Sequence, residues 1–208
     1  AVIRTVMERC DFRRDLEFAN GPLDILDHAA PRVGAGTKIG FDATKRFDGE
    51  QIDGLDLTPP QLPDETQLAD ARNQLSALGG NVVAFDLPEA GLGRLAILSV
   101  HRGAPQAGVT AIERAMNSLE EDNPAAQFII AIPGDADPTD LEFSLFHWIS
   151  GCDPGRDLVR AGARIGFDAT TKVPGEDDRN GIPVRDYPPI LEMDEEIIAR
   201  VDERWQEY

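Results

Sequence analysis

An α/β architecture, a mixed sheet with flanking helices and partly duplicated, is expected for this 208-residue chain on three grounds. Short apolar runs bounded by Pro and Gly alternate with segments of helical period. Their order, β-β-α-β-α-β-α, is that of an α/β sandwich. Two stretches of sequence also occur twice. Residues 82–85 (Val-Val-Ala-Phe) and 95–100 (Leu-Ala-Ile-Leu-Ser-Val) read as buried strands. A helix from about Val109 sets Val109, Ile112, Met116 and Leu119 on one stripe and breaks at Asn123-Pro124. Residues 128–132 form the next strand. Asp137 then caps a helix that starts at Pro138, carries Leu141, Leu145, Trp148 and Ile149 as its apolar face, and stops at Gly151. Residues 164–168 are the last strand candidate. The terminal helix puts Asp194, Glu195 and Glu196 in its first turn, buries Ile197, Ile198, Val201 and Trp205, and pairs Glu196 with Arg200.

The repeat is direct. Cys10-Asp11-Phe12-Arg13-Arg14-Asp15-Leu16 returns as Cys152-Asp153-Pro154-Gly155-Arg156-Asp157-Leu158. Residues 36–44, ending Ile39-Gly40-Phe41-Asp42-Ala43-Thr44, return as 162–170, ending Ile165-Gly166-Phe167-Asp168-Ala169-Thr170. Gly49-Glu50 matches Gly175-Glu176. Between the two halves the first copy carries a longer segment, 17–32, containing Gly21-Pro22-Leu23-Asp24-Ile25-Leu26-Asp27-His28. The expected organisation is 1–50 as the truncated end of a first copy, 51–80 as linker with a short helix over 65–78 closed by Gly79-Gly80, and 81–208 as the second copy. Val2, Ile3, Val6 and Met7 then form the end of a helix equivalent to the one before Cys152.

Composition excludes several classes. A net charge of −18 and a pI near 4.4 repel nucleic acid and anionic membrane surfaces. No apolar run approaches a membrane span. Two cysteines provide neither a disulfide framework nor a metal-ligand spacing, and a cytoplasmic protein is expected. The chain opens AVIRTVMERC, without a natural Met start, so a fragment is expected. Lys38, Lys45 and Lys172 are the only lysines; an acidic, lysine-poor surface suits a high-salt cytoplasm or a GC-rich coding sequence alike.

Candidate chemistry is sparse. Gly91-Leu92-Gly93 lacks the third glycine of a nucleotide fingerprint and reads as a turn. His28, His101 and His147 show no zinc-ligand spacing. Asp24, Asp27 and His28 share the long loop, where they form either a small acid/base or cation site or a set of backbone caps. Cys10 and Cys152 sit at helix C-termini and read as buried, inert thiols. Arg14-Asp15 and Arg156-Asp157 read as local ion pairs. Asp42 and Asp168 follow a strand directly, where open α/β sheets bind ligands, and a turn cap explains them equally well.

Residues 153–158 (Asp-Pro-Gly-Arg-Asp-Leu), residues 21–28 and the two Ile-Gly-Phe-Asp-Ala-Thr segments with their trailing basic residue and Gly-Glu resemble the C-terminal domain of the UbiD family of decarboxylases. The resemblance covers about 9–50 and 82–208, and the duplicated tail is most similar to the menaquinone-biosynthesis branch. It implies an α/β domain that mediates dimerisation and faces a cofactor-binding domain. It also implies non-oxidative removal of CO2 from an aromatic or unsaturated acid, using prenylated FMN with a divalent metal and potassium. The cofactor serves as electron sink for the carbanion, and a carboxylic acid returns the proton. The family's cofactor ligands, metal ligands and Glu-Arg-Glu catalytic set lie in preceding domains, so no catalytic or metal residue maps onto this chain. Leu23 matches an apolar position that lines the substrate pocket from the C-terminal domain. In relatives, a basic residue at the end of the helix before the 128–132 strand reaches the cofactor phosphate. Here that end reads Ser118-Leu119-Glu120-Glu121-Asp122 and repels one. The resulting expectation is the C-terminal portion of a UbiD-like carboxy-lyase, inactive alone, that closes the active site and stabilises a homo-oligomer beside an upstream catalytic domain. The alternative is a non-catalytic assembly subunit that binds a separate catalytic chain.

Overall fold

The computed structural model describes residues 1–172, 176, 184–185 and 193–207. Helix α1 (Val2–Arg9) leads into a hairpin of β1 (Leu16–Pro22) and β2 (Ala35–Phe41), paired antiparallel from Leu16↔Phe41 to Pro22↔Ala35. Helix α2 (Glu65–Ser76) begins at a capping box in which Asp64 and Gln67 satisfy each other's backbone N–H. Although it falls in the stretch read as linker, its Ala71 and Leu75 are buried in the core. There follow β3 (Val82–Asp86), β4 (Leu95–Val100), α3 (Ala107–Ser118), β5 (Phe128–Pro133), α4 (Leu141–Gly151), the single turn α5 (Pro154–Asp157), β6 (Leu158–Ala161), β7 (Arg164–Asp168) and α6 (Glu195–Glu203).

The main sheet is five-stranded and mixed, in the order β3-β4-β5-β7-β6. β4, β5 and β7 run parallel, while β3 and β6 close the edges antiparallel. Both faces are covered, so its central strands are apolar throughout and alternate between two cores. Ala96, Leu98, Ile129 and Ala131 face α2 and α3, meeting Leu75, Ile112 and Met116. Leu95, Ile97, Phe128, Ile130 and Phe167 face α1, the hairpin and α4. Phe128 centres this second core, with ring centroids 5.4 Å from Phe12, 5.8 Å from Phe41, 5.1 Å from Trp148 and 5.1 Å from Phe167.

Several expectations need correction. The helix after β5 starts at Leu141, capped by Asp140, whose carboxylate accepts from Phe143 N at 3.0 Å. Asp137 instead turns back on the amide and hydroxyl of Thr139 at 2.9 and 2.7 Å, a local Asx turn that keeps Pro138 outside the helix. Ile149 does not join the buried face of α4 and is 71% exposed. Strands β1 and β6 lie in segments not read as strands. In α6, Ile197, Ile198, Val201 and Trp205 are all exposed; among the described residues, Glu196 and Arg200 form no ion pair and the helix shares no extensive contact with the sheet or other helices.

Candidate functional site

Where α1 and α4 end, the chain builds the same ionic knot twice. After α1, Asp15 Oδ2 accepts from Asp11 N at 2.8 Å, and Asp15 Oδ1 accepts from Arg14 Nε and Arg46 Nη2, both at 3.0 Å. Asp42 accepts from the amide and hydroxyl of Thr44 at 3.0 and 2.6 Å and pairs with Arg46 at 3.2 Å. After α4, Asp157 Oδ2 accepts from Asp153 N at 2.9 Å and Asp157 Oδ1 from Arg156 Nε at 2.7 Å. Asp168 accepts from the amide and hydroxyl of Thr170 at 3.0 and 2.5 Å, and Lys172 Nζ lies 3.2 Å from Asp168 and 3.5 Å from Asp157. The strand register repeats as well, Leu16↔Phe41 in one hairpin and Leu158↔Phe167 in the other.

The knots differ in burial. Asp157, Asp168 and Lys172 are sealed from solvent, whereas Asp42 is exposed. Burial opposes ionisation of Asp168, but the Lys172 ammonium and the Thr170 hydrogen bonds outweigh it and hold the carboxyl below its ordinary range. Its carboxylate is therefore committed inward and unavailable to a ligand. Both cysteines lie at the entrances to these knots as buried thiols. Burial and the nearby Asp15 push Cys10 up to about 12, and burial raises Cys152 well above the usual range, so neither is a nucleophile at neutral pH.

Asp153 ties the hairpin to the sheet unit. Its carboxylate accepts from Thr37 N at 2.8 Å, across 116 residues, and from Gly155 N at 2.9 Å. Burial raises its pKa against those two bonds. A Cβ at Gly36 would fall 2.4 Å from Asp153 Oδ2 and 2.8 Å from Leu23 Cδ1, so only glycine lets the hairpin sit this close. The Arg160 guanidinium also lies over the Phe18 ring at 5.1 Å.

From this anchored base the hairpin presents a structured tip. Leu23 N donates to Gly34 O at 2.8 Å and closes the loop, with Gly34 at φ +73°. Asp24 accepts from Leu26 N at 2.9 Å and Asp27 from Ala30 N at 3.2 Å, while Lys38 pairs with Asp27. The two aspartates are thus backbone caps. His28 is exposed, and among the described residues no group of three His, Cys, Asp or Glu side chains could hold a metal. Leu23 is half-buried over Gly36, where Ala30 also packs, whereas Ile25, Leu26 and Val33 are 69%, 73% and 68% exposed. Three large apolar side chains are thus held in solvent by a hydrogen-bonded loop.

The crevice at the carboxyl ends of β4, β5 and β7, the usual ligand position in such sheets, is lined by His101, Arg102, Asp135 and Thr170 among others. The Arg102 guanidinium is bound to Glu176 and to the Thr171 carbonyl, so its charge is neutralised from within. The acidic end of α3 also offers no cation to a phosphate. Beneath it, Arg164 is buried and donates to the carbonyls of Glu120 and Asn123 at 2.6 and 2.8 Å.

Residues 1–43 and 64–175 match the family described as the 3-octaprenyl-4-hydroxybenzoate carboxy-lyase C-terminal domain. The chain belongs to the UbiD C-terminal domain family. Among solved structures, it is similar to the vanillic acid decarboxylase of Sedimentibacter hydroxybenzoicus in closed form, with 20% identity over 65% of this chain and 31% of that one and a TM-score of 0.49. It is also similar to the UbiD-class enzyme HmfF of Pelotomaculum thermopropionicum in an evolved dimeric form with prFMN (19% identity, 66% and 28% covered, TM-score 0.43). A third is the 3,4-dihydroxybenzoic acid decarboxylase of Klebsiella pneumoniae (17% identity, 64% and 32% covered, TM-score 0.41). The chain spans about a third of the length of these proteins. Among the described residues, no helix is long and apolar enough to cross a membrane.

Within this UbiD C-terminal domain, sequence reasoning singled out Leu23 but passed over Ile25, Leu26 and Val33. The available signal was an apolar pair set between two aspartates in a turn, where polar residues are the rule. It also passed over Arg94, one of the largest fully buried side chains. A single arginine before an apolar strand carries no sequence signature of the helix end it serves.

Proposed function

We propose that this chain is the C-terminal portion of a UbiD-like carboxy-lyase that decarboxylates an aromatic or unsaturated acid, with catalysis in preceding domains. Its own task is to close the active site with the β1–β2 hairpin and to stabilise a homo-oligomer. One observation carries this reading: in a member of this family, Ile25, Leu26 and Val33 stand exposed beside half-buried Leu23 at the end of a hairpin bound through Asp153, 116 residues away. The family description names an octaprenyl hydroxybenzoate, which supports an aromatic acid of quinone biosynthesis as the substrate class. Repetition of the knot and of the strand register supports reading 1–50 as the end of a first domain copy, 51–80 as the connection and 81–208 as the second copy.

In such an enzyme, prenylated FMN with a divalent metal and potassium supplies the electron sink for CO2 loss. The described residues do not fit these groups, since no metal-ligating cluster converges and the candidate carboxylates are consumed in the knots. The side chains present here bind and exclude instead. Leu23 forms part of the substrate-pocket wall, and the apolar tip keeps water from the reacting carboxylate.

The test is steady-state turnover of the full-length enzyme carrying Leu23→Asp, or the pair Ile25→Ser and Leu26→Ser. A fall in kcat/KM of about tenfold or more, the order of one lost apolar contact set, is expected with unchanged thermal stability. Wild-type kinetics in both variants would overturn the reading.

A further inference from the structure

The repeat aligns α1 with α4, so that Ile3, Val6, Met7 and Cys10 correspond to Leu145, Trp148, Ile149 and Cys152. The two helix ends have different surroundings. Met7 is fully buried, and Arg94 closes the end of α1 by donating through Nη1 to Met7 O and through Nη2 to Cys10 O at 3.1 Å. Arg94 is held in place by Gln127 Oε1 at 2.8 Å and lies over the Phe12 ring at 4.7 Å. At α4, Ile149 is 71% exposed and Phe146 61%, and no described side chain donates to the carbonyls of Ile149 or Cys152.

The strands differ in the same sense. In the β1–β2 ladder, Asp42 N donates to Asp15 O and Leu23 N to Gly34 O, so the even-numbered residues of β2 face β1 and the odd-numbered ones face outward. In the second hairpin the outward amides are used: Ile165 N donates to Gln127 O and Ala169 N to Ala131 O, where β5 pairs parallel with β7. Their counterparts are the amides of Ile39 and Ala43, and the edge of β2 that carries Ile39 pairs with no strand among the described residues. Between this edge and the end of α4 lies a mostly apolar cleft of about 180 Å³ lined by Lys38, Ile39, Phe41, Trp148, Ile149, Cys152 and Pro154. In the occupied arrangement, the equivalent position between β7 and α1 is filled by the start of β5, with Phe128 in the core.

We propose that the open edge of β2 and the end of α4 form one docking seat. Its occupant is the α/β half preceding α1 in the first repeat, a unit with the fold of β3 to β5. That unit lays a parallel strand on β2, puts an aromatic side chain in the cleft and caps α4 with the counterpart of Arg94. The two halves are then related by a pseudo-two-fold axis, each pairing a strand with its own hairpin and capping the helix of the other, as in an isologous interface. A second copy of this chain is a poor occupant because its own Arg94 and Leu95 are already covered by its own α1. The inference rests on the repeat reading given above.

The experiment is amide hydrogen exchange on the holoprotein from its native source, beside the 208-residue chain. In the holoprotein, the amides of Ile39, Phe41 and Ala43 should exchange at least about a hundredfold more slowly than in the 208-residue chain, matching Ile165, Phe167 and Ala169. Ile149→Arg in the holoprotein should abolish that protection and leave the β7 amides protected. If two protected strands precede α1 but the β2 edge exchanges freely, the seat is wrong and the repeat stands. If no protected strands precede α1, the repeat reading falls as well. Protection of the β2 edge in the isolated chain together with a dimeric sedimentation coefficient would make a second copy the occupant and overturn the proposal.

Discussion

Replacing Arg94 with Met tests how the first helix is held. The guanidinium makes hydrogen bonds to Met7 O, Cys10 O and Gln127 Oε1, and its burial pulls its pKa down to about 10. A hydrogen bond from a charged donor contributes about 1.5–3 kcal/mol, and a buried carbonyl left unpaired costs about 1–3 kcal/mol. Met keeps the apolar stem against Phe12 and removes the desolvation of a charge, which offsets part of the loss. The expected net destabilisation is about 3 kcal/mol. With an m-value near 2 kcal/mol/M, the urea midpoint should fall by roughly 1.5 M. Arg94→Lys should recover little, because one ammonium cannot reproduce the fork that spans two carbonyls. Exchange of the α1 amides should rise more than that of β4 and β5, since the helix is freed before the sheet opens. A midpoint shift below about 0.3 M with unchanged α1 exchange would refute the reasoning.

Three other predictions concern the knots and the sheet. Asp168 has its pKa depressed in the folded state, so its contribution is present above the ordinary aspartate range and lost as pH falls through the lower folded value. Lys172→Met should cost about 3–5 kcal/mol at pH 7 and flatten the acid limb of a pH–stability curve; an unchanged acid limb would show that Lys172 does not hold the carboxylate. With Cys10 pushed up to about 12 and Cys152 raised well above the usual thiol range by burial, a thiol reagent at pH 8 should label neither in native protein and both in denaturant. Stoichiometric labelling of native protein within seconds would contradict this. Gly166→Ala should destabilise by about 1–3 kcal/mol, because the new Cβ would fall 2.3 Å from Ile112 Cγ2 and force α3 off β7. A melting temperature equal to wild type would show that α3 yields freely.

The sheet was legible because β4 and β5 are buried on both faces and so appear as uninterrupted apolar runs. β1 was not legible, since its residues Leu-Glu-Phe-Ala-Asn-Gly-Pro are a half-exposed mixture that ends in two poor strand formers. β6 is four residues long and is defined by the tight turn at Gly162 rather than by its composition. The stripe of α6 misled for the opposite reason, because a clean amphipathic period specifies a face without specifying what lies against it. The repeat made the positions of Asp15, Asp157, Asp42 and Asp168 recognisable as special. Their role as clasps depends on Thr44, Thr170, Arg46 and Lys172, which lie two or four residues beyond Asp42 and Asp168 and reach Asp15 and Asp157 only once each hairpin closes.

The contacts of Arg94 also set an order of events during synthesis. Met7 and Cys10 wait 87 and 84 residues for the arginine that fastens them, and Thr37 waits 116 for Asp153. On a ribosome adding about 5–20 residues per second, α1 and the hairpin emerge several seconds before the arginine and the aspartate that fasten them. A segment made early within this domain is therefore among the last of it to be fastened. Through that interval Met7, Phe12 and Phe41 are the exposed groups that a chaperone would grip.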